Sequence, residues 1–146
     1  MSRETGWSTL ISDNLRELGF LALETLDQPN AEKWLNEASD YLQKIDDITA
    51  VFRAEVLFHL GRTVLMSNDL PRAEQLLQQI ERIATTLQEN WVLGFQTELA
   101  AYITKAKGDT HETNRKLHDA LAIWERAERE PDANRVRKAI ETLSSK

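Results

Sequence analysis

The 146 residues include no cysteine. Disulfides, thiolate metal ligands and thiol nucleophiles are thereby excluded, and the chain is read as cytoplasmic, the reducing compartment such a composition suits. Prolines (3) and glycines (5) are sparse, which excludes collagen-like and low-complexity classes. None of the glycines sits in a GxGxxG or GxxxxGK[ST] loop, so no phosphate-cradling motif is visible. No apolar run approaches the ~20 residues of a membrane span. Met1 to Trp7 lacks the apolar core of a signal peptide. Excess positive charge is also missing, with 18 Lys and Arg against 24 Asp and Glu and a formal charge of −6. A general nucleic-acid binder carries a basic face. Neither nucleic acid nor membrane is therefore expected as a partner.

What is present suits one helical domain spanning 1–146. Apolar residues make up 41% and charged residues 29%, and a chain this long buries roughly 70% of its unfolded surface. The charge is uneven: residues 1–50 carry ten acids and four bases, while the remainder is balanced. A solvated acidic surface accounts for that excess.

The punctuation between apolar stretches repeats. Asp27-Gln28-Pro29-Asn30-Ala31 returns as Asp69-Leu70-Pro71-Arg72-Ala73, 42 residues on, and as Asp109-Thr110-His111-Glu112-Thr113 after 40 more. Aspartate is a good N-cap, and proline in the first turn gives up only an amide without an intrahelical partner. Each pentapeptide therefore predicts a helix start. Before them, Leu15, Leu18, Gly19 and Ala22 align with Leu57, Leu60, Gly61 and Val64, and with Thr97, Ala100, Ala101 and Thr104. After them, Ala31, Leu35, Ala38 and Leu42 align with Ala73, Leu77, Ile80 and Ala84, and with Thr113, Leu117, Ala120 and Trp124. Spacings of three and four place each set on one helical face. Each repeat reads as two helices, the first ending near Leu26, Ser67 or Lys107. Gly19, Gly61 and Ala101 are expected to let their helix approach the second helix closely at Ala31, Ala73 and Thr113.

This pattern resembles the tetratricopeptide repeat, best in the second repeat (Leu57, Leu60, Gly61, Val64, Leu70, Ala73, Leu77, Ile80). The repeats, about 9–48, 49–89 and 90–128, are longer than the family's usual length of about 34 residues. The resemblance implies an all-α superhelical solenoid of three helix pairs. A further helix over 131–144 follows, opened by Glu130-Pro131-Asp132, and gives about seven helices in all. Ala133, Val136, Ile140 and Leu143 form its inner face, with Arg135, Arg137 and Lys138 off it, as a capping helix requires.

Catalytic and metal constellations are not apparent. His111 and His118 lie two turns apart, about 10.5 Å of rise, and read as surface residues. Asp46-Asp47 reads as a helix junction. Trp124 reads as core, Trp34 as packed between neighbours, Trp91 as the opening of the third repeat, and Trp7 as partly exposed. The chain is expected to be no enzyme and to need no cofactor or metal.

The resemblance implies a concave face lined by first helices. Its slots fall on Arg16 and Phe20 in repeat one, with Asp13 and Glu24 beside them. They fall on Glu55, Phe58, His59 and Arg62 in repeat two, and on Phe95, Glu98, Tyr102 and Lys105 in repeat three. Aromatics beside arginines are favoured interface anchors. The expected function is a protein-interaction scaffold, monomeric or weakly dimeric, that takes a peptide or helix of another protein; aromatics beside Arg16, Arg62 and Lys105 suit a peptide or an acidic-aromatic segment. Two alternatives stay open. The aromatics form a self-filled core if the concave side closes on itself, or they hold a small molecule in a sensing domain of the same fold.

Overall fold

A computed structural model describes residues 28–43 and 50–145, with the side chains of the first helix described over residues 29–37. Six helices and no strand occur among the described residues: α1 (Gln28–Gln43), α2 (Ala50–Leu65), α3 (Leu70–Leu87), α4 (Asn90–Ala106), α5 (Thr110–Arg126) and α6 (Glu130–Ser144). Leu15, Leu18, Gly19, Ala22, Arg16, Phe20, Asp13, Glu24, Trp7, the Asp27 cap and Asp46-Asp47 lie outside them.

Local chemistry sets the helix ends. The Asp69 carboxylate accepts from the Arg72 amide at 3.3 Å at the start of α3, and Asp109 accepts from the Glu112 amide at 3.1 Å at the start of α5. Pro71 and Pro131 occupy the first turns of α3 and α6, where no amide is lost. One turn is used three times. Asn68, Gly108 and Glu128 adopt positive φ of 59°, 90° and 58°. The amide that follows each reaches back to the preceding helix: Asp69 to Val64 O at 3.1 Å, Asp109 to Thr104 O at 3.3 Å, Arg129 to Trp124 O at 3.0 Å. This left-handed cap satisfies carbonyls that the helix end leaves free and turns the chain back directly into the next N-cap.

The helices contact in a ladder: α1 with α2, α2 with α3, α3 with α4, α4 with α5 and α5 with α6, and in addition α2 with α4. The stripes read from the sequence face inward. Leu57, Leu60, Gly61 and Val64 of α2 are buried, as are Thr113, Leu117, Ala120 and Trp124 of α5. Ala31 and Leu35 of α1 are fully buried. In α3, Leu76 lies deeper than Leu77. In α4 the expected stripe is displaced: Thr97, Ala100 and Thr104 are half-buried, while Phe95, Glu98, Leu99 and Ile103 turn inward.

The small residues also act differently from expectation. A Cβ added to Gly61 would meet the Leu99 methyl carbons at 2.8 Å, so its notch receives a side chain of α4 rather than the backbone of α3 at Ala73. Gly94 makes the tighter notch, where a Cβ would lie 2.7 Å from the Trp124 ring. Helix α6 begins at Glu130 and buries Ala133 and Val136, with Ile140 and Leu143 packed against the core. Arg135 is not on its solvent face. It turns inward onto α4, because a buried carboxylate there needs a cation.

Candidate functional site

Glu55, Phe58, His59 and Arg62 recur along one face of α2, and Phe95, Glu98, Tyr102 and Lys105 along one face of α4. The structure brings these two rows together. Phe58 and Phe95 are fully buried, with ring centroids 5.1 Å apart. Phe95 in turn meets Trp124 edge-on at 4.8 Å, and Phe58 meets the buried His59 ring at 4.8 Å. Aromatic pairs prefer such tilted and edge-on contacts.

Glu98 is fully enclosed beside this cluster. Arg135 grips it with two hydrogen bonds, Nε to Oε2 at 2.6 Å and Nη2 to Oε1 at 2.7 Å. Trp124 Nε1 donates to Oε1 at 2.9 Å, and the Tyr102 hydroxyl donates to Oε2 at 2.5 Å. A carboxylate offers about four acceptor sites, and all are occupied. A buried charge satisfied in this way is stable in place, and Glu98 has no free lone pair with which to act as a base. Burial, then the Glu98 charge and hydrogen bond, push the Tyr102 hydroxyl well above its usual range. Burial opposes the charge on Arg135, but the bonds and charge of Glu98 outweigh it and raise its proton affinity.

From Glu98 the ion pairs continue outward. Arg135 Nη2 also meets Asp132 Oδ1 at 2.7 Å, Arg129 Nε meets Asp132 Oδ2 at 2.7 Å, and Arg129 Nη2 lies 3.5 Å from Glu55 Oε2. The Arg129 guanidinium stacks 3.9 Å above Trp91, and that of Arg135 lies 4.9 Å from the Phe58 ring centroid. Carboxylates and guanidinium groups thus alternate from α2 through the start of α6 to α4.

No protein-family model matches this chain, and no curated protein or solved structure does either.

The chemistry of the site is therefore read from its own groups. Arg62 stands apart from the ionic chain. Among the described residues it makes one hydrogen bond, from Nη1 to Nδ1 of His59 at 3.0 Å, in which the guanidinium is the donor. Among the described residues no carboxylate lies within ion-pair distance of it. Burial, then the neighbouring Arg135 cation, lower its proton affinity, yet a guanidinium stays charged at neutral pH.

Arg62 opens into a cleft of about 530 Å³ bounded by α2, α4 and α6. Lys105, Arg135 and Lys138 line it with Arg62, and no acidic side chain does among the described residues. Leu65, Met66, Ala106 and Ala139 supply apolar surface, and Met66 is 44% exposed. The row read from the sequence thus divides in two. Phe58, His59, Phe95 and Glu98 are interior, and Glu55 pairs at the edge with Arg129. Arg62, Tyr102 and Lys105 reach the cleft.

Asp132, Arg129, Arg135 and Lys138 of the α6 region are missed from the sequence, and so is Trp124 as a partner of Glu98. The available signal is Arg129, Asp132 and Arg135 at spacings of three around a helix start, a pattern that puts three charges on one face. Among the described residues no group of His, Asp and Glu is placed to hold a metal ion, and no helix is long and apolar enough to cross a membrane. His111 and His118 are exposed.

Proposed function

We propose that the chain is a non-enzymatic protein-interaction module of the tetratricopeptide-repeat kind, and that the α2/α4/α6 cleft takes an acidic segment of a partner protein. The repeat reading is supported by the ladder of neighbouring helix contacts, the added α2–α4 contact, and one capping turn used three times. On this reading α2–α3 and α4–α5 are successive pairs of a solenoid, α1 belongs to the pair before them, and α6 closes the array. First helices line the surface with which solenoids bind.

The observation that carries the functional reading is the composition of the cleft: four cations, no carboxylate among the described lining residues, and an apolar floor with an exposed methionine. Arg135 is paired from within with Glu98 and Asp132, whereas Arg62, Lys105 and Lys138 make no ion pair among the described residues. A segment with two or more carboxylates around an aliphatic or aromatic side chain complements that surface, since interfaces pair opposite potentials around an apolar anchor.

An array of acidic, neutral and basic peptides, each with and without a central apolar residue, tests the proposal. Wild type is expected to favour acidic peptides with the apolar residue, and a Lys105→Glu/Lys138→Glu variant to lose them. Both positions are exposed, so circular dichroism should show an unchanged helical fold. Binding without acidic preference, or full retention by the variant, removes the proposal.

A further inference from the structure

A second cleft lies apart from the first, between the first turn of α2 and the last two turns of α3. It encloses about 400 Å³ and is lined by Ala50 and Arg53 of α2 and by Gln79, Arg82, Ile83, Thr86 and Leu87 of α3. The α3 residues sit at offsets 0, 3, 4, 7 and 8, one helical face. We propose that this cleft is an anion site for a phosphomonoester, with Arg53 and Arg82 as the cationic donors.

The first observation is Arg53 Nε. It is a buried side-chain donor without a hydrogen-bond partner, the one such atom found among the described residues. Buried polar groups are nearly always paired, and an exception needs a reason. Among the described residues Arg53 makes no ion pair either. Other arginines of this chain do reach carboxylates: Arg72 meets Glu32, Arg115 meets Glu112, Arg129 meets Asp132, Arg135 meets Glu98 and Arg137 meets Glu130. Arg53 is half-buried, and that burial lowers its proton affinity. The negative end of α3 makes a cation tolerable here. It does not supply Nε with an acceptor, and no carbonyl receives a hydrogen bond from Arg53.

Arg82 is the second observation. Its exposed guanidinium also has no carboxylate partner among the described residues, and none of the described residues that line the cleft is acidic. Two guanidinium groups therefore border one space. Each presents a planar fork that matches phosphate oxygens. A phosphomonoester carries about −1.5 to −2 charge at neutral pH on three terminal oxygens, against a single negative charge on a carboxylate. Two cations match the former better. Gln79 adds a neutral donor, while Ile83 and Leu87 offer an apolar wall for the organic part. The cleft falls within the ~300–1,000 Å³ range of small-ligand sites.

The ligand chemistry could come from a free phosphorylated small molecule or from a phosphorylated side chain on a partner. Titration calorimetry on the full chain distinguishes them, with phenyl phosphate and a phosphoserine peptide as probes and benzoate as the single-charge control. Amide chemical shifts followed by NMR locate the binding. Saturable binding of at least one phosphate probe at about 1 mM is expected, with shifts confined to residues near 50–53 and 79–87. Benzoate is expected to bind more weakly. Arg53→Gln and Arg82→Gln are each expected to weaken binding about tenfold or more, as loss of a charge-assisted pair does. Arg82 is exposed, so its variant reports even if Arg53→Gln disturbs the fold. Tighter binding of phenyl phosphate would assign a small molecule, and of the peptide a modified partner. No saturable binding, equal binding of benzoate, or an unchanged affinity in Arg82→Gln overturns the proposal.

Discussion

Two joints hold the second half of the molecule together, and they are made of different materials. Helix α2 meets α4 through hydrocarbon, with Leu99 seated in the notch at Gly61. Helix α6 is tied to α4 through charge, with Arg135 spanning to the enclosed Glu98. A hydrocarbon joint has no direction, and its side chains can shift by fractions of an ångström at small cost. The guanidinium–carboxylate joint is directional: a bidentate pair fixes both the distance and the rotation of α6. Hydrophobic contact sets how strongly neighbours adhere, and the buried charges set where the last helix sits. The cleft between α2, α4 and α6 depends on that placement, because Arg135, Lys138 and Ala139 of α6 form one of its walls.

The strongest test of this contrast is to cut the ionic joint. Glu98→Leu leaves the Arg135 guanidinium and the donors of Trp124 and Tyr102 without their acceptor. Removal of one member of a buried ion pair costs about 3–5 kcal/mol, and urea unfolding should show a loss of that size. The double variant Glu98→Leu/Arg135→Leu removes both charges and should recover at least half of it, since hydrophobic replacement of a buried pair is often neutral. If Glu98→Leu unfolds at the wild-type midpoint, the ionic joint does not hold α6.

The second test compares the two glycine notches. Gly94→Ala puts a methyl group 2.7 Å from ring carbons of Trp124, and this ring cannot slide away without releasing the bond from its Nε1 to Glu98. Overpacking of this kind costs about 1–3 kcal/mol. Gly61→Ala puts its methyl group 2.8 Å from the ends of Leu99, a side chain able to rotate. The helix gains about 1 kcal/mol when alanine replaces an interior glycine, so this variant should stay within about 1 kcal/mol of wild type. Thermal unfolding of the pair checks the order. Equal losses would mean that the hydrocarbon joint is as rigid as the one held by Glu98.

The same contrast explains what can be read from the sequence. Helix starts are legible at Asp69, Asp109 and Pro131 because capping is local and each signal lies within one turn of its effect. The inward stripes of α2 and α5 are legible because leucine and alanine at spacings of three and four have one sensible destination. The Glu98 cluster is not. Its partners come from 4, 26 and 37 residues away, and the spacing of three that groups Arg135 with Arg129 and Asp132 on one face does not say what that face meets. A charged residue beside an apolar helical face ordinarily belongs in water, so Arg135 reads as solvent-facing until the enclosed carboxylate opposite it is known. Displacement of the α4 stripe has the same origin. Glu98 does not look like a core residue, and a search for apolar periodicity passes over it to Thr97 and Ala100. Gly61 is legible as a close approach but not as to what approaches, because the occupant of a notch is a tertiary fact.

The smallest effect belongs to Tyr102, which touches the ionic joint without carrying a charge. Tyr102→Phe removes one of four bonds to Glu98 and keeps the ring, so the loss at neutral pH should be about 1 kcal/mol. Its pH dependence is more telling. The folded-state hydroxyl titrates well above the usual value, through burial first and then the adjacent Glu98, while the unfolded chain titrates near 10. Above about pH 10 the unfolded state therefore holds fewer protons than the folded state, and stability falls as pH rises. Below it the contribution is complete. Wild type should lose stability steadily on raising the pH beyond about 10, and Tyr102→Phe should lose less over the same interval. Because the phenol reports on the joint, a flat wild-type profile in that range would place Tyr102 in contact with water and loosen the enclosure of Glu98. A steep profile abolished by the phenylalanine would show the carboxylate sealed from solvent, as a directional joint between α4 and α6 requires.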